Sequence, residues 1–463
     1  MSVDQAEPFV DEATLAAVDR WLAYRTWHSR VPGVQVAIGV RGEVLLARSY
    51  GYADLEQGVR LRDDHLFRIA SHSKTFTATL VLQLFEQGRL GLEDPVAEHL
   101  PELADGPLGG MRVRELLEHT GGVLRDGLDS DYWQFERAFP DRAALLALVR
   151  EGGSKGVPGE TFAYSNLGYS LLGLVVEAVT GVPYAQAVAE RITTPLGLTD
   201  TAADYLSERS GDYAAGHSGL HQTTIRHRLD HIPTGAMAAA TGFTSTARDL
   251  VAYFAAHAYG DERLLSDRTK RLQQRAANVT DPADATGTRY GWGMILDTVD
   301  DQELVGHSGG YPGHITKTFL DPATGLVVSV LTNAIDGPAA LLARGVVQLL
   351  ARARERPGSS GDEPLSEAAL ARTGRYASLW QVLDVAALGG RLQTLHPTAW
   401  APLELADELE DLGDGRFRIS GGSGFGSVGE LVTFEELNEA VTGLRYGGMS
   451  MRRLSDLEDA RTD

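Results

Sequence analysis

The sequence predicts an α/β protein. An antiparallel sheet is flanked by helices, an all-helical part is inserted into it, and a small antiparallel β-barrel follows. Three observations predict this. β-rich runs occur early, at 34–47, and again at 303–331, with a mostly helical stretch, 112–260, between them. Runs so far apart can share one sheet if the helical stretch is an insertion. Composition then shifts at Arg356-Pro357-Gly358-Ser359-Ser360-Gly361-Asp362, and short β-type runs with glycine turns come after it. The expected organisation is a catalytic-size domain at 1–355, a linker at 356–366 and a small β-domain at 367–463. A barrel is the reading adopted for the last, a sandwich being its alternative.

Taken in order, residues 12–29 pattern as an amphipathic helix with Leu15, Val18 and Leu22 on one side. Val34 to Val40 and Glu43 to Ala47 are strand candidates, and Arg41-Gly42 suits the tight turn between them. A helix containing Lys74 continues through Phe76, Leu80, Val81, Leu84 and Phe85, a spacing that marks a buried face, and Gly88 and Gly91 bracket its end. Gly168 to Val179 is nearly all apolar and reads as a helix covered on most sides. Glu303 to Gly306, Ile315 to Leu320 and Leu326 to Leu331 are strand candidates joined by Gly/Pro/Asp turns, and a helix at 338–353 follows. Glycine pairs at 389–390 and 421–422 punctuate the last domain.

The chain has 463 residues, a formal net charge of −21 and no basic run, which argues against nucleic acid as a partner. It has no cysteine, so disulfides, thiolate zinc sites and cysteine catalysis are excluded. No apolar run is long enough to span a bilayer, and Met1 to Glu7 carries neither a basic nor an apolar targeting region. A cytoplasmic location and no membrane partner are expected. The sequence leaves the oligomeric state open, a homo-oligomer included, and calls for no cofactor.

Chemistry concentrates in three motifs. The first is Ser71-His72-Ser73-Lys74. Its spacing puts a hydroxyl and an amine on one helical face, a turn apart. A serine becomes a nucleophile when a base takes its proton, and a lysine with a lowered pKa can be or assist that base. Only four lysines occur, Lys74, Lys155, Lys270 and Lys317, and only Lys74 completes a Ser-x-x-Lys. The second motif is Tyr164-Ser165-Asn166, in a loop before the apolar helix. A lysine ammonium beside Tyr164 would favour its phenolate, which could accept the serine proton and return it to the leaving group. Asn166 offers an amide to hold the lysine and a substrate carbonyl side by side. The third is Gly306-His307-Ser308-Gly309-Gly310, at the end of a strand candidate. The backbone N–H of Gly310 is the candidate partner of the Ser71 N–H in an oxyanion hole, and His307 would add a polar or positive group over the pocket.

In order and spacing these motifs resemble those of the serine β-lactamase and penicillin-recognising superfamily, and the Tyr-x-Asn form resembles its class C branch. That branch includes class C β-lactamases, D,D-carboxypeptidases, D-aminopeptidases and related esterases. The resemblance covers roughly residues 10–355 and includes Leu116 to Gly122 and Thr244 to Leu250. The C-terminal part more loosely resembles the lipocalin-like barrels appended to some peptidase members. The resemblance implies that Ser71 forms an acyl-enzyme with a small-molecule acyl substrate, Lys74 and Tyr164 move the proton, Asn166 positions the substrate, and Ser71 and Gly310 hold the oxyanion. Ser308, Gly309 and Tyr311 would border the substrate. Many β-lactamases carry Lys-Thr-Gly where this chain has His307-Ser308-Gly309, and a largely neutral imidazole should bind a β-lactam carboxylate less well. The expectation is therefore a D-aminopeptidase-like or D-stereospecific peptidase or amidase. Carboxylesterase comes next, then acyl transfer or β-lactamase activity, and a penicillin-binding-type sensor is the non-enzymatic alternative.

Tyr132, Trp133 and Phe135 either line the acyl pocket or pack the helical part, and Trp292 and Tyr311 either face the site or fill the core. His217, His221, His227 and His231 include i, i+4 pairs but lack the glutamate of a His-Glu-x-x-His pattern, so they read as a loop lining the pocket and not as metal ligands. Lys155 and Lys317 read as projecting into solvent or onto a sheet face.

Overall fold

The computed structural model describes residues 10–106, 108–152, 154–275, 277–280, 287–355, 365–413, 415–422, 427–438 and 440–454. The expected linker at 356–366 lies almost wholly outside the described residues. The chain forms two compact units, residues 31–343 and residues 1–30 with 344–463.

The first unit is built on nine strands: β1 (Gly33–Val40), β2 (Glu43–Asp54), β3 (Val59–Arg60), β4 (Asn278–Val279), β5 (Arg289–Tyr290), β6 (Ile295–Val299), β7 (Gln302–Tyr311), β8 (His314–Leu320) and β9 (Leu326–Thr332). Their order is β3-β2-β1-β9-β8-β7-β6-β5-β4, antiparallel throughout. The expected union of early and late strands is made by β1 and β9, with Val36 opposite Val330 and Ile38 opposite Val328. All seven residues of β9 and seven of the eight in β1 are buried, as central strands covered on both faces must be. Arg41 (φ 51°) and Gly42 (φ 87°) supply the two positive φ values that a two-residue hairpin turn with right-handed strand twist needs.

Three helices of this unit matter for the site: Ser73–Glu86, Asn166–Thr180 and Ala247–Ala255. The first is buried on every face, with twelve of its fourteen residues inside. Its threonines tolerate this because Thr77 and Thr79 donate to the carbonyls of Ser73 and Thr75, four residues back. Phe85, expected on the buried face, is 37% exposed at the helix end instead. The second begins at Asn166, with Ser165 as its N-cap accepting from the Gly168 N–H, and ends at Gly181 in the left-handed conformation. Of the two expected placements of Lys317, solvent or a sheet face, the structure has the second: it lies on β8, buried and paired with Asp297 at 3.2 Å.

The second unit holds a closed antiparallel barrel of eight strands: β10 (Gly374–Ala377), β11 (Val382–Leu388), β12 (Arg391–Leu395), β13 (Asp407–Asp411), β14 (Arg416–Gly422), β15 (Leu431–Leu437), β16 (Ala440–Tyr446) and β17 (Met449–Leu454). Pairing of β10 with β17 closes it and leaves no free edge. Leu383, Val385, Leu392, Phe417, Ile419, Val432 and Leu444 fill the interior. The helix Glu12–His28 belongs to this unit although it precedes β1 in the chain. Arg375 on β10 makes a bidentate pair with Asp384 on β11, at 2.6 and 2.7 Å, and also donates to the Arg20 carbonyl of that helix. Arg25 donates to the Thr398 carbonyl and stacks on Trp400. In the helix Ala339–Arg354, Gly345 leaves room for the buried Trp21 ring, which a Cβ there would meet at 2.2 Å.

Candidate active site

Ser71 sits in a tight turn, Ala70–His72, that leads directly into the buried helix at Ser73. Its neighbours are anchored on both sides. His72 is fully buried, with one ring nitrogen 3.2 Å from the Ile69 carbonyl and the other 3.0 Å from the Thr318 hydroxyl of β8. The Ser73 hydroxyl donates to the Ala70 carbonyl and accepts from the Phe243 N–H. Ala70 itself has φ 47°, a strained value for a residue with a Cβ. The turn is thus held in a shape the chain would not choose alone, and Ser71, only partly buried, stands at its open side.

Lys74 is completely buried. Its Nζ lies 3.3 Å from Ser71 Oγ, 2.7 Å from Asn166 Oδ1 and 2.9 Å from the Ala240 carbonyl. The last two can only accept. An uncharged amine gives them its two hydrogens and is left with a lone pair for the serine hydroxyl. Burial favours that state: it holds the Lys74 amine well below an ordinary lysine, Asp126 opposes the shift and Arg125 adds to it. The Asn166 amide is oriented by its partners, because Oδ1 faces the lysine while Nδ2 donates to Asp126 Oδ1 at 2.8 Å.

Tyr164 reverses one expectation. Burial pushes its phenol above the ordinary value, and hydrogen bonding to Ser71 and the charge of Arg125 only partly offset this. Lys74 lies 4.7 Å from the ring centre, but burial disfavours the ammonium form that would favour a phenolate. Burial thus works against charge on both partners, the amine and the phenol. Tyr164 is held by His119. The His119 carbonyl accepts from the Ala163 N–H at 2.7 Å, its Nδ1 accepts from the Ser165 N–H at 3.1 Å, and its ring lies 4.3 Å from the Tyr164 ring. His119 takes φ 60° to do this, and among the described residues its Nε2 has no hydrogen-bond partner. Sequence reasoning noted the stretch around His119 only as family-like and missed this role. A histidine in Glu-His-Thr-Gly-Gly carries no signal until the Tyr164 loop is folded against it.

The third motif lies within a strand, since β7 runs on to Tyr311. The turn is Pro312-Gly313, with Tyr311 opposite His314 and Gly310 opposite Ile315. A two-residue hairpin closes on a bonded pair and bonded pairs alternate, so the Gly310 N–H points away from β8. On that side β6 pairs only with residues 302–306, and Gly310 is exposed. Its N–H is therefore free for an oxyanion. Gly309 brings the strand in: a Cβ there would lie 2.1 Å from the Ile69 carbonyl, just before the Ser71 turn. His307 is 1% exposed and lies beneath the site, not over the pocket. Its Nδ1 is 2.6 Å from the Ser308 carbonyl and its Nε2 3.2 Å from the Tyr290 hydroxyl. Burial, with His72 and Lys74 nearby, keeps it well below an ordinary histidine and hence neutral. Tyr290, also missed, is a buried ring packed against both His119 and Tyr164.

Of the other candidates, Trp133 and Tyr132 meet Asp126. The Trp133 indole donates to its Oδ1 at 3.1 Å and the Tyr132 hydroxyl to its carbonyl at 2.8 Å. Tyr311 is buried under the Arg68 guanidinium, its ring 6.2 Å from Trp133 and 5.9 Å from Phe135. Trp292 bonds Glu118 at 2.8 Å and packs on the core. The four histidines are used elsewhere: His217 is buried against the Asn333 carbonyl, His231 stacks on Tyr205, and His221 and His227 are exposed. Among the described residues no group of three or more His, Cys, Asp or Glu could hold a metal ion.

Comparison with known proteins shows the family. The family model described as beta-lactamase matches residues 18–352. Esterase EstB of Burkholderia gladioli is 31% identical over 396 residues, 75% of this chain and 98% of the esterase. Protein flp of Staphylococcus aureus (strain N315) is 26% identical over 323 residues, 68% of this chain, and the chain spans only 62% of that relative's length. Among solved structures, the D-amino acid amidase from Ochrobactrum anthropi SV3 complexed with D-phenylalanine superposes with a TM-score of 0.63 at 26% identity, over 74% of this chain and 99% of the amidase. The octameric penicillin-binding protein homologue from Pyrococcus abyssi shares the fold, with a TM-score of 0.65 at 22% identity over 94% of this chain and 99% of its own.

Proposed function

The chain belongs to the beta-lactamase family, and from that membership and the geometry of its site we propose that it is a serine hydrolase of small amides, peptides or esters, D-aminopeptidase-like or D-stereospecific in its leading form. The observation that carries the reading is the Lys74 amine. It is buried, which lowers its pKa, Asn166 and Ala240 accept from it, and it lies in reach of Ser71 Oγ. Lys74 takes the proton as Ser71 Oγ bonds to the substrate carbonyl carbon. The carbonyl oxygen, now an anion, is held by the Ser71 and Gly310 N–H groups. When the tetrahedral centre collapses, the bond to the leaving nitrogen or oxygen breaks and Tyr164 supplies its proton. The Lys74 ammonium then returns a proton to Tyr164. Water attacks the acyl-enzyme by the same path reversed, releasing the acid and restoring the Ser71 hydroxyl.

The D-amino acid amidase supports the amidase form, and EstB, a relative above 30% identity, supports carboxylesterase activity as the second reading. β-Lactamase activity is disfavoured by the buried neutral His307, which puts no positive charge where a β-lactam carboxylate would need one. The test is hydrolysis of matched D- and L-aminoacyl anilides, p-nitrophenyl esters and a chromogenic cephalosporin by the native chain and by Ser71→Ala. The native chain should turn over at least one class and be labelled by a fluorophosphonate. Ser71→Ala should do neither. Retained turnover in Ser71→Ala, or a native chain inert to the whole panel, overturns the assignment.

A further inference from the structure

One buried guanidinium lies beside the site and has no part in the steps above. Arg68 stands three residues before Ser71 and is 0% exposed. Its backbone is fixed by the two-residue strand Phe67–Arg68, which pairs with Thr244–Ser245, and by the Ile69 N–H, which donates to the Phe243 carbonyl. Its side chain reaches the strand that carries the third motif. One nitrogen donates to the Ile232 carbonyl at 2.9 Å and another to Asp204 Oδ1 at 3.2 Å, while the guanidinium carbon lies 4.3 Å from the centre of the Tyr311 ring. The Tyr311 hydroxyl donates to the same Ile232 carbonyl at 3.3 Å. Asp204 fixes the segment that follows Ile232, because its Oδ2 accepts from the Thr234 and Gly235 N–H groups at 2.7 and 3.2 Å. Arg68, Ile232 and Tyr311 thus close a ring of contacts, and Asp204 holds it shut. The strand held in this way has little else to steady it at that point. β7 passes the site through Gly309 and Gly310, which have no side chains to pack and leave the backbone its widest freedom. On the pocket side β6 pairs only as far as Gly306, so no β6 residue holds Gly310. Tyr311 is the first side chain after the two glycines, and it is 1% exposed.

We propose that Arg68 is a positioning residue for the oxyanion hole: by clamping Tyr311 it holds the Gly310 N–H at its working distance from the Ser71 N–H. The clamp starts on the lead-in to Ser71 and ends on the residue after Gly310, so it spans the two donors of the hole. The planar guanidinium matters as well as its charge. A lysine keeps a charge facing Asp204, but it has no flat face for the Tyr311 ring and no rigid fork to span Asp204 and Ile232. The inference rests on the serine-hydrolase reading and adds to it a residue that acts on the oxyanion only through another.

The test compares the native chain with Arg68→Lys, Tyr311→Leu and the double variant, on the substrate of the panel above that the native chain cleaves best. Phenylboronic acid serves as a second probe, because its boron bonds Ser71 Oγ and the tetrahedral adduct sets an oxygen in the oxyanion hole. Arg68→Lys should lower kcat about 10- to 100-fold with KM within about threefold of native, the effect of a donor displaced by about 1 Å. Inhibition by phenylboronic acid should weaken at least about tenfold in the same variant. Tyr311→Leu should lower kcat to a similar degree. The double variant should lose no more than the worse single one, since both act along one path. A purely structural Arg68 would lower stability and spare both the kcat of the folded fraction and the boronate affinity, and that result overturns the inference. Losses that multiply in the double variant, or a fall in kcat with native boronate affinity, overturn it too. Should Arg68→Lys fail to fold, Asp204→Asn takes its place with the same outcomes, because its amide cannot accept from both Thr234 and Gly235 and so loosens the clamp. If substrate is cleaved through Ser71 and Arg68→Lys keeps native kcat, the hydrolase reading survives and this inference falls. If the native chain cleaves no substrate of the panel, both fall.

Discussion

The site around Ser71 and the barrel treat buried ionisable groups in opposite ways. Around Ser71, burial works against charge: Lys74 is held well below an ordinary lysine, His119 and His307 well below an ordinary histidine, and the Tyr164 phenol is raised. In the barrel the buried Arg375 guanidinium meets the Asp384 carboxylate through two hydrogen bonds. A charge that is paired fixes geometry, and a group whose charged form burial disfavours is suited to exchange a proton. The two regions therefore divide anchoring from chemistry.

That contrast breaks most directly at its two extremes. Lys74→Ala should lower kcat about a thousandfold, as loss of a positioned base does, while thermal stability changes little. A variant that unfolds at ordinary temperature, or keeps near-native kcat, would put Lys74 on the anchoring side. Arg375→Ala should do the reverse. It strands the buried Asp384 carboxylate and should cost about 3–5 kcal/mol in denaturant unfolding, with kcat of the folded fraction preserved. Unchanged stability would remove the contrast.

Two smaller effects sharpen it. Gly309→Ala sets a methyl against the Ile69 carbonyl and should displace the strand from Ser71. The expected loss is about 10- to 100-fold in kcat with KM nearly unchanged, read from steady-state kinetics. Acid is the mildest probe. His72 is pushed down to about 3 and His257 to about 4, both by burial. Between those values and the ordinary histidine pKa near 6.5, the unfolded chain binds protons that the folded one does not. Stability of the unit spanning 31–343 should therefore fall as pH drops below about 6.5, by up to about 1.4 kcal/mol per pH unit for each histidine, and level off beneath about 3. Denaturant titrations from pH 7 to 4 that show no such slope would mean these imidazoles are wetter than their packing implies.

Where the sequence could be read, local chemistry was enough. Arg41-Gly42 announces its own turn, and Ser71 to Lys74 announces a shared helical face, because both depend on neighbours in the chain. The pairing of β1 with β9 was legible as two apolar runs that need a common partner. What escaped depends on what covers a residue. His307 stands between glycines in a strand, so no alternating pattern tells which face it takes. Periodicity put Phe85 on the buried face but could not show that the helix runs out of cover there. Tyr164 and Lys74 were identified as partners, but their protonation follows from desolvation, which spacing does not encode. Asp126, His119 and Tyr290 have roles only through residues distant in sequence, and none sits in a pattern that singles it out.

Gly309 also has a consequence for how the molecule comes into being. The gap left by its missing side chain is where a segment from the end of the first unit closes against the turn that carries the nucleophile near its beginning. Until ribosomal synthesis has passed β7 and β8, Ser71 has no strand beside it to steady an oxyanion and His72 has no Thr318 to bond. The nascent polypeptide is consequently inert for most of its translation. Competence waits for strands that follow Ser71 far along the chain, so appearance of activity in a synchronised translation reaction would report that β7 and β8 have closed against the Ser71 turn.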